Sequence, residues 1–375
     1  MDTQLQPITM PKWGMTMTEG RLSAWLVKEG ERITTGQEIM EVETEKITNV
    51  VEGHVSGLLR RIVVEEGTTA PVGALLAVVG DTGVPDSEVD AFVAGYAERA
   101  GAVGDDADAY PEPRIVEAGP HRLNVLSISD GDATPVVLIH GFGGDAGTWL
   151  FTQDALAKDR PVHVLDLPAH GGSAPTVPSG KLNELAQAVV AALDALGIAK
   201  AHLVGHSLGG AVALSVAASA PDRVASLGLL APAGLGAEIS SDYIDGFLAA
   251  DRRKPMKEVL SRLFADPDAA SAEMVENVLR FKRLDGVPEA LGAIASNLAS
   301  GGRQAIDLRG ALVAAEIPVL AVWGEKDGVI PAMQIDGLPA NIRVERLADV
   351  GHMPMMEAAV AVNRMLAAHL ADADR

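Results

Sequence analysis

Residues 201–219 have the sequence AHLVGHSLGGAVALSVAAS, which decides the fold of the larger part of the chain. The run AHLV is typical of a buried strand, and AVALSVAAS is typical of a helix. Gly205 and Gly209 permit a sharp turn between the strand and the helix, which exposes Ser207 at the start of the helix. The alternative is that GHSLG matches the pattern G-x-S-x-G by coincidence. The flanking strand and helix favour a nucleophilic serine.

A serine nucleophile needs a base, and the base needs an acid that orients it. Asp327 follows the apolar run VLAVW within GEKDGVIP, and His352 lies in DVGHMPMME after the last predicted strand. Taken singly, Asp327 would be a solvated loop acid and His352 a helix-capping residue. The chain order Ser207, Asp327, His352 is a known order of a catalytic triad, so we predict that these three residues are catalytic.

A glycine-rich turn, HGFGG at residues 140–144, follows another apolar run, VVLI. Acyl transfer builds negative charge on a carbonyl oxygen, which two rigid backbone N–H groups can stabilise. The amides of Phe142 and Leu208 are the predicted donors of this oxyanion hole. A turn that only packs the sheet is the alternative. A dinucleotide site is disfavoured, because the pattern is not G-x-G-x-x-G before a helix.

Apolar runs alternate with helical segments through the rest of this region, which predicts a mostly parallel sheet covered by helices. The predicted strands are 136–140, 162–167, 201–206, 224–231, 319–324 and 344–347. Residues from about 233 to 310 contain helical patterns without an intervening strand. We expect an all-helical cap there, above the carboxyl ends of the strands.

The first eighty residues contain an internal repeat, in which residues 19–42 resemble residues 52–79. Both halves contain EG-x-[L/V]-S, a second EG, and a glycine six residues later. Short period-2 runs predict strands, so the repeat predicts a small all-β module with pseudo-two-fold symmetry. Lys46 lies between the halves. Residues 81–113, rich in Asp, Ala, Gly and Pro, are predicted as a linker that includes a short amphipathic helix. A helix docked on a neighbouring domain is favoured over one that recruits a partner.

Composition excludes several classes of partner. The 375 residues include 51 acidic and 30 basic ones, for a formal net charge of −21, which would repel nucleic acids and anionic membranes. The chain has no cysteine, so disulfides and thiolate metal sites are impossible, and we predict no metal. The amino terminus lacks a basic start followed by an apolar run, which predicts a cytoplasmic protein.

Residues 114–371 resemble the α/β-hydrolases through HGFGG, DLPAHGGS, GHSLGG, GEKDGVIP and DVGHMP. The amino-terminal eighty residues resemble the lipoyl domains of 2-oxo acid dehydrogenase complexes through VKEGERITTGQEI, ETEKIT and EGHVSG. This second resemblance implies covalent lipoate on Lys46. The related biotin carriers flank their lysine with methionines, whereas Glu45 and Ile47 flank it here, so lipoate is favoured.

The combination resembles the acetyltransferase (E2) subunits of acetoin dehydrogenase complexes. It implies two domains: an all-β flattened lipoyl barrel over residues 1–80 and an α/β-hydrolase domain with a helical cap over 114–375. The implied activity is acetyl transfer from the lipoyl arm on Lys46 to coenzyme A, a small-molecule acyl acceptor. The implied partners are a thiamine-dependent E1, a flavin-dependent E3 and lipoate ligase.

Two rival functions remain at this point. The chain could be an esterase, thioesterase or C–C bond hydrolase that the lipoyl domain only tethers, or a non-catalytic carrier and scaffold. Coenzyme A or water could accept the acyl group, and transfer could be direct or through acyl-Ser207. Four basic residues could bind the phosphates of coenzyme A, or simply form a solvated helix face: Arg252, Arg253, Lys254 and Lys257.

Overall fold

A computed structural model describes residues 5–11, 19–43, 48–53, 55–102, 111–129 and 131–375. The chain divides into two compact units, Met1–Tyr110 and Pro111–Arg375. Within the described ranges, no helix is long and apolar enough to cross a membrane. The same ranges contain no cluster of three or more His, Asp or Glu side chains placed to hold a metal ion.

The described residues of the amino-terminal unit form two four-stranded sheets. The strands are β1 (Gln6–Thr9), β2 (Glu19–Trp25), β3 (Arg32–Ile33), β4 (Glu38–Glu43), β5 (Thr48–Glu52), β6 (Gly57–Ile62), β7 (Thr69–Pro71) and β8 (Leu75–Gly80). Their orders are β1-β8-β6-β3 and β5-β4-β2-β7. Exchanging the first four strands with the last four converts one order into the other, which is the symmetry that the sequence repeat predicts.

The paired glycines of the repeat have matching backbone angles. Gly30 and Gly67 have φ of 84° and 80°, and Gly36 and Gly73 have φ of 82° and 79°. These positive angles favour glycine because it has no Cβ. The duplicated glycines therefore make the same turn in each half. Between the sheets lies a core of buried aliphatic side chains, including Leu22, Ile39, Leu59 and Leu76.

A helix, α1 (Asp86–Ala102), lies within the predicted linker and packs against the amino-terminal unit. Val89 is fully buried in a cluster with Leu75 and Val78 of β8. The Arg60 side chain fixes the start of the helix by donating to the Val84 carbonyl at 2.7 Å and to the Asp86 carboxylate at 2.9 Å. Residues 86–102 therefore form part of the folded unit that contains the repeat.

The carboxyl-terminal unit is built on an eight-stranded sheet. The strands are β9 (Arg114–Ala118), β10 (His121–Ile128), β11 (Val136–Ile139), β12 (Val162–Leu165), β13 (Ala201–His206), β14 (Val224–Leu230), β17 (Val319–Gly324) and β18 (Ile342–Leu347), with β15 (Ala299–Ser300) and β16 (Arg303–Gln304) outside it. The order in the sheet is β18-β17-β14-β13-β11-β12-β10-β9. All six predicted strands are present and parallel. At one end of the sheet, β10 pairs antiparallel with β12, and the edge strand β9 pairs antiparallel with β10.

Helices surround this sheet, and several of them form the long segment between β14 and β17. They are α2 (Gln153–Leu156), α3 (Leu182–Ala195), α4 (Leu208–Ser219), α5 (Ser241–Ala249), α6 (Arg253–Leu260), α7 (Ala272–Lys282), α8 (Val287–Leu298), α9 (Arg309–Val313), α10 (Pro354–Glu357) and α11 (Ala359–Ala373). Helices α5 to α8 occupy the predicted cap. The expectation of an all-helical cap was wrong in one detail, because the two-residue strands β15 and β16 pair within it.

Candidate active site

Ser207 occupies the turn between β13 and α4 in a strained conformation, with φ 52° and ψ −115°. A Cβ on Gly205 would lie 2.3 Å from the Gly209 carbonyl oxygen, and one on Gly209 would lie 2.2 Å from the Ile139 oxygen. Only glycine fits at either position. The sequence therefore forms the sharp turn that the motif predicts, with Ser207 at the carboxyl end of a central strand.

Asp327 and His352 form a buried pair beside this turn. Asp327 Oδ2 accepts from His352 Nδ1 at 2.7 Å, and both side chains are almost fully buried. The indole of Trp323 also donates to Oδ2, at 3.0 Å. The backbone amides of Val329 and Ile330 donate to Oδ1, each at 2.8 Å. The carboxylate is thus held by four donors, and Nε2 is the ring nitrogen of His352 left to exchange a proton.

The side chain of His206 holds the His352 loop against the serine turn. The His206 ring donates from Nε2 to the His352 carbonyl at 2.8 Å, and the two imidazole centroids are 4.7 Å apart. Burial lowers the pKa of His206 well below its usual value, so the ring is neutral. His206, which immediately precedes Ser207, acts as a structural link between the serine turn and the histidine loop.

Glu357 binds the same loop and was not singled out by the sequence. Its Oε1 accepts from the amides on either side of His352, Gly351 at 3.0 Å and Met353 at 3.2 Å. Its Oε2 accepts from the amide of Ala265, in the cap, at 2.7 Å. Burial raises the pKa of Glu357, although the three amides oppose this shift. The side chain therefore joins the histidine loop to the cap.

The HGFGG turn lies directly against Ser207, since a Cβ on Gly141 would be 3.0 Å from the Ser207 Cβ. The Gly141 carbonyl accepts from His140 Nδ1 at 2.7 Å and from the Gly144 amide at 3.1 Å. A trans peptide directs its C=O and N–H to opposite sides, so these bonds also fix the direction of the Phe142 N–H.

His140 can form this bond because both ring nitrogens are engaged. The Leu167 amide donates to Nε2 at 2.9 Å, which leaves the proton on Nδ1 for Gly141. Complete burial lowers the pKa of His140 to about 4, so the ring is neutral at pH 7. The histidine of HGFGG is a structural determinant of the turn, a role that the motif alone does not reveal.

The direction of the Leu208 N–H is fixed in the same way, through the carbonyl of the Ser207–Leu208 peptide. The Ser207 carbonyl accepts from the amides of Gly210 at 3.0 Å, Ala211 at 3.2 Å and Ala233 at 3.0 Å. Among the residues that the structure describes, neither the Phe142 amide nor the Leu208 amide has a hydrogen-bond acceptor. Two oriented, unpaired N–H groups thus flank the serine, as an oxyanion hole requires.

Asp166, in the DLPAHGGS segment, holds the loops behind the HGFGG turn together. Its carboxylate accepts from the Ala146 amide at 2.7 Å, the Asn124 side chain at 2.8 Å and the Gly172 amide at 2.9 Å. A Cβ on Gly171 would lie 2.2 Å from this carboxylate, which explains the glycine. The motif therefore has a structural function in this fold.

The four basic residues of the cap are exposed: Arg252 precedes α6, Arg253 and Lys254 begin it, and Lys257 lies in its last turn. Arg253 pairs with Glu276, and Arg252 lies 3.7 Å from Asp251.

Lys46 lies outside the described residues. The strands on either side of it, β4 and β5, pair in antiparallel register with Glu43 opposite Thr48, so Lys46 belongs to the short connection between them.

Family models match both units. Residues 134–359 match the model described as "alpha/beta hydrolase fold", and residues 6–79 match the model described as "Biotin-requiring enzyme". A meta-cleavage product hydrolase from Pseudomonas fluorescens superposes with a TM-score of 0.61 at 22% identity, covering 69% of this chain and 97% of that chain. A carboxylesterase from Bacillus subtilis superposes with a TM-score of 0.61 at 18% identity, covering 77% and 99%. The predicted fold class is therefore confirmed.

Two curated relatives extend over almost the whole chain. Both are called "dihydrolipoyllysine-residue acetyltransferase component of acetoin cleaving system". The protein from Pseudomonas putida is 49% identical, covering 98% of this chain and 99% of the relative. The protein from Cupriavidus necator is 43% identical, covering 97% of each. The chain belongs to the family of acetyltransferase (E2) components of acetoin-cleaving systems, which confirms the resemblance found in its sequence.

Proposed function

We propose that the chain is a dihydrolipoyllysine-residue acetyltransferase that passes an acetyl group from a lipoyl arm on Lys46 to coenzyme A. The observation that carries the proposal is the presence, in one chain, of a lipoyl-type unit and the Ser207, His352 and Asp327 site with its two unpaired amides. Full-length similarity to acetoin-system acetyltransferases supports it. Thiamine-dependent E1 and flavin-dependent E3 subunits, and a lipoate ligase, are the proposed partners.

The described strands fit an attachment at Lys46, because β4 and β5 end in register and leave this lysine in their connection. A lipoyl group there would supply the thiol that carries the acyl group, in a chain that has no cysteine. The short β4–β5 connection is thus a suitable place for an amide-linked arm. The hydrolase-like unit supplies the remaining chemistry.

In the covalent route, His352 Nε2 takes the proton of Ser207 as Oγ attacks the carbonyl carbon of a bound acyl thioester. Asp327 holds the ring in the tautomer that this step requires, through the 2.7 Å bond to Nδ1. The amides of Phe142 and Leu208 stabilise the oxyanion. The carbon–sulfur bond then breaks, and His352 returns the proton to the departing thiolate.

The second half reaction repeats these roles with coenzyme A as the nucleophile. His352 deprotonates the thiol, sulfur attacks the acyl-Ser207 ester, and Ser207 leaves with the proton from His352. In the direct route, His352 deprotonates the coenzyme A thiol, and its sulfur attacks the acyl thioester itself. The original carbon–sulfur bond breaks, His352 returns the proton to the departing thiolate, and Ser207 only forms a hydrogen bond. Arg252, Lys254 and Lys257 are candidate partners for the coenzyme A phosphates, since they are exposed in an otherwise acidic protein.

The proposal is tested by supplying S-acetyldihydrolipoyl protein and coenzyme A, then quantifying acetyl-coenzyme A and acetate. We expect acetyl-coenzyme A from the wild-type chain and at least about a thousandfold less from Ser207→Ala if the covalent route holds. Production of acetate alone would replace the proposal with the rival hydrolase function. Intact mass is the second test: Lys46→Ala should abolish a lipoyl-sized increment that the wild-type chain gains from lipoate and ligase.

A further inference from the structure

A buried hydroxyl of the cap donates a hydrogen bond to the HGFGG turn. Tyr243, in α5, donates from its Oη to the Phe142 carbonyl at 3.0 Å, and its side chain is only 4% exposed. Burial raises the pKa of Tyr243, so the hydroxyl keeps its proton and can only act as a donor here. The residue whose N–H is the proposed oxyanion donor is thus bound to the cap through its own C=O.

The two peptide planes around Phe142 are held from different sides. The Gly141–Phe142 plane is fixed by His140 and Gly144, which belong to the HGFGG turn itself. The Phe142–Gly143 plane is fixed by Tyr243 of the cap. Gly143 has φ of 77°, an angle that glycine adopts because it has no Cβ. Glycine is permissive in conformation, so Gly143 alone does not fix the orientation of the Phe142–Gly143 peptide plane. The conformation of the turn therefore depends on the cap.

Helix α5 is itself fastened at this position. The Phe247 ring packs edge-on against Phe142 with centroids 5.2 Å apart, and a Cβ on Gly143 would lie 2.4 Å from this ring. Lys282 of α7 donates to the carbonyls of Phe247 and Ala250, the latter at 2.7 Å, and its ammonium lies 4.8 Å from the Phe247 centroid. A cation at the carboxyl end of a helix is stabilising.

We propose that Tyr243 is a positioning residue that holds the oxyanion turn in its working conformation and keeps water away from it. This inference rests on the proposed acetyltransferase function. If the hydroxyl is removed, the buried Phe142 carbonyl loses its partner, and a buried polar group recruits another donor. Water is the donor that could replace the Tyr243 hydroxyl at the Phe142 carbonyl. It would arrive beside the acyl group and compete with coenzyme A for it.

The test is Tyr243→Phe, which removes one oxygen atom, assayed in the full-length lipoylated chain. We expect kcat to fall about tenfold with little change in KM for coenzyme A, because the oxyanion donor is loosened while the binding surface is kept. We also expect a several-fold larger share of acetyl to appear as acetate. A merely structural residue would lower the amount of active enzyme without changing this ratio of products.

Tyr96→Phe is the matched control, because Tyr96 donates its hydroxyl to the Gly73 carbonyl in the other unit at 3.3 Å. It should leave kcat and the product ratio unchanged. Incorporation of 3-fluorotyrosine at position 243, which retains the hydroxyl, should keep the wild-type ratio and covers the case in which Tyr243→Phe folds poorly.

An unchanged kcat and product ratio in Tyr243→Phe would overturn the inference, as would an altered ratio in the control. If the wild-type chain itself releases only acetate, the proposed function fails instead. The role of Tyr243 would then still be tested by the rate at which Ser207 is acylated by a small activated acetyl ester. A rate in Tyr243→Phe equal to that of the wild type would reject it.

Discussion

Replacement of His140 by glutamine tests the link between the buried histidine and the oxyanion turn. Glutamine can place an acceptor near the Nε2 position for the Leu167 amide, but it has no donor at the Nδ1 position for the Gly141 carbonyl. Glutamine also does not titrate. The variant therefore removes one hydrogen bond and one ionisable group, and each loss has its own readout.

The first readout is the pH dependence of stability. The folded-state pKa of His140 is about 4, below the unfolded value of 6.5, so the folded chain binds fewer protons between these pH values. Its contribution to stability is present above pH 6.5 and is lost as the pH falls towards 4. Linkage gives a loss of about 2 kcal/mol between pH 7 and pH 5 from this residue alone.

Urea denaturation at pH 7 and pH 5, followed by far-ultraviolet circular dichroism, measures this difference. We expect the free energy of unfolding of His140→Gln to fall by about 2 kcal/mol less than that of the wild type over this interval. At pH 7 the lost Gly141 bond should lower stability by about 1 kcal/mol. An unchanged pH dependence in His140→Gln would refute the buried, neutral state of this ring.

The second readout is activity, which we expect to fall about tenfold in kcat because the Phe142 amide is less well oriented. His369→Gln is the control. Burial also lowers the pKa of His369 to about 4, but this residue lies in α11, outside the proposed site. It should weaken the pH dependence of stability without lowering kcat. Equal effects of the two variants on kcat would reject the proposed role of His140.

Three further substitutions test other parts of the account. Asp327→Asn should lower kcat by about 10³ to 10⁴ by disturbing the His352 tautomer, and normal turnover would reject the triad. Glu357→Gln should cost about 2 kcal/mol of stability because Ala265 loses a charged acceptor, which urea denaturation measures; a change below about 0.5 kcal/mol would show that the carboxylate is dispensable. Val89→Ala should destabilise the amino-terminal unit by about 2 kcal/mol while leaving the other unit unchanged, as hydrogen exchange would show. Uniform destabilisation of both units would contradict the assignment of α1 to the first.

The sequence predicted the fold class and the turn that carries Ser207 because both are encoded by local patterns. The strand, turn and helix around Ser207 are contiguous, and the conformation of the turn requires Gly205 and Gly209. The repeated glycines predicted the symmetry of the amino-terminal sheets for the same reason. Each of these features depends on a few adjacent residues and on the spacing between them.

What the sequence did not reveal depends on contacts between distant segments. Glu357 lies 92 residues from its partner Ala265, and Tyr243 lies 101 residues from Phe142. No local pattern identifies such pairs. Helix α1 lies in a stretch whose composition is that of a linker. Its amphipathic pattern predicts docking on a neighbouring domain, but only the structure shows the contacts that hold it, which include Val89 against β8 and Arg60 at its start.

The proposed transfer is tested most directly by running it in reverse, since acyl exchange between two thiols can proceed in either direction. The lipoylated chain is reduced and incubated with acetyl-coenzyme A alone, and the peptide that contains Lys46 is then analysed by mass spectrometry. We expect this peptide to gain an acetyl group in the wild-type chain and to gain none in His352→Ala. Conversion of acetyl-coenzyme A to free acetate without acetylation of that peptide, or acetylation that survives loss of His352, would refute the proposed transfer.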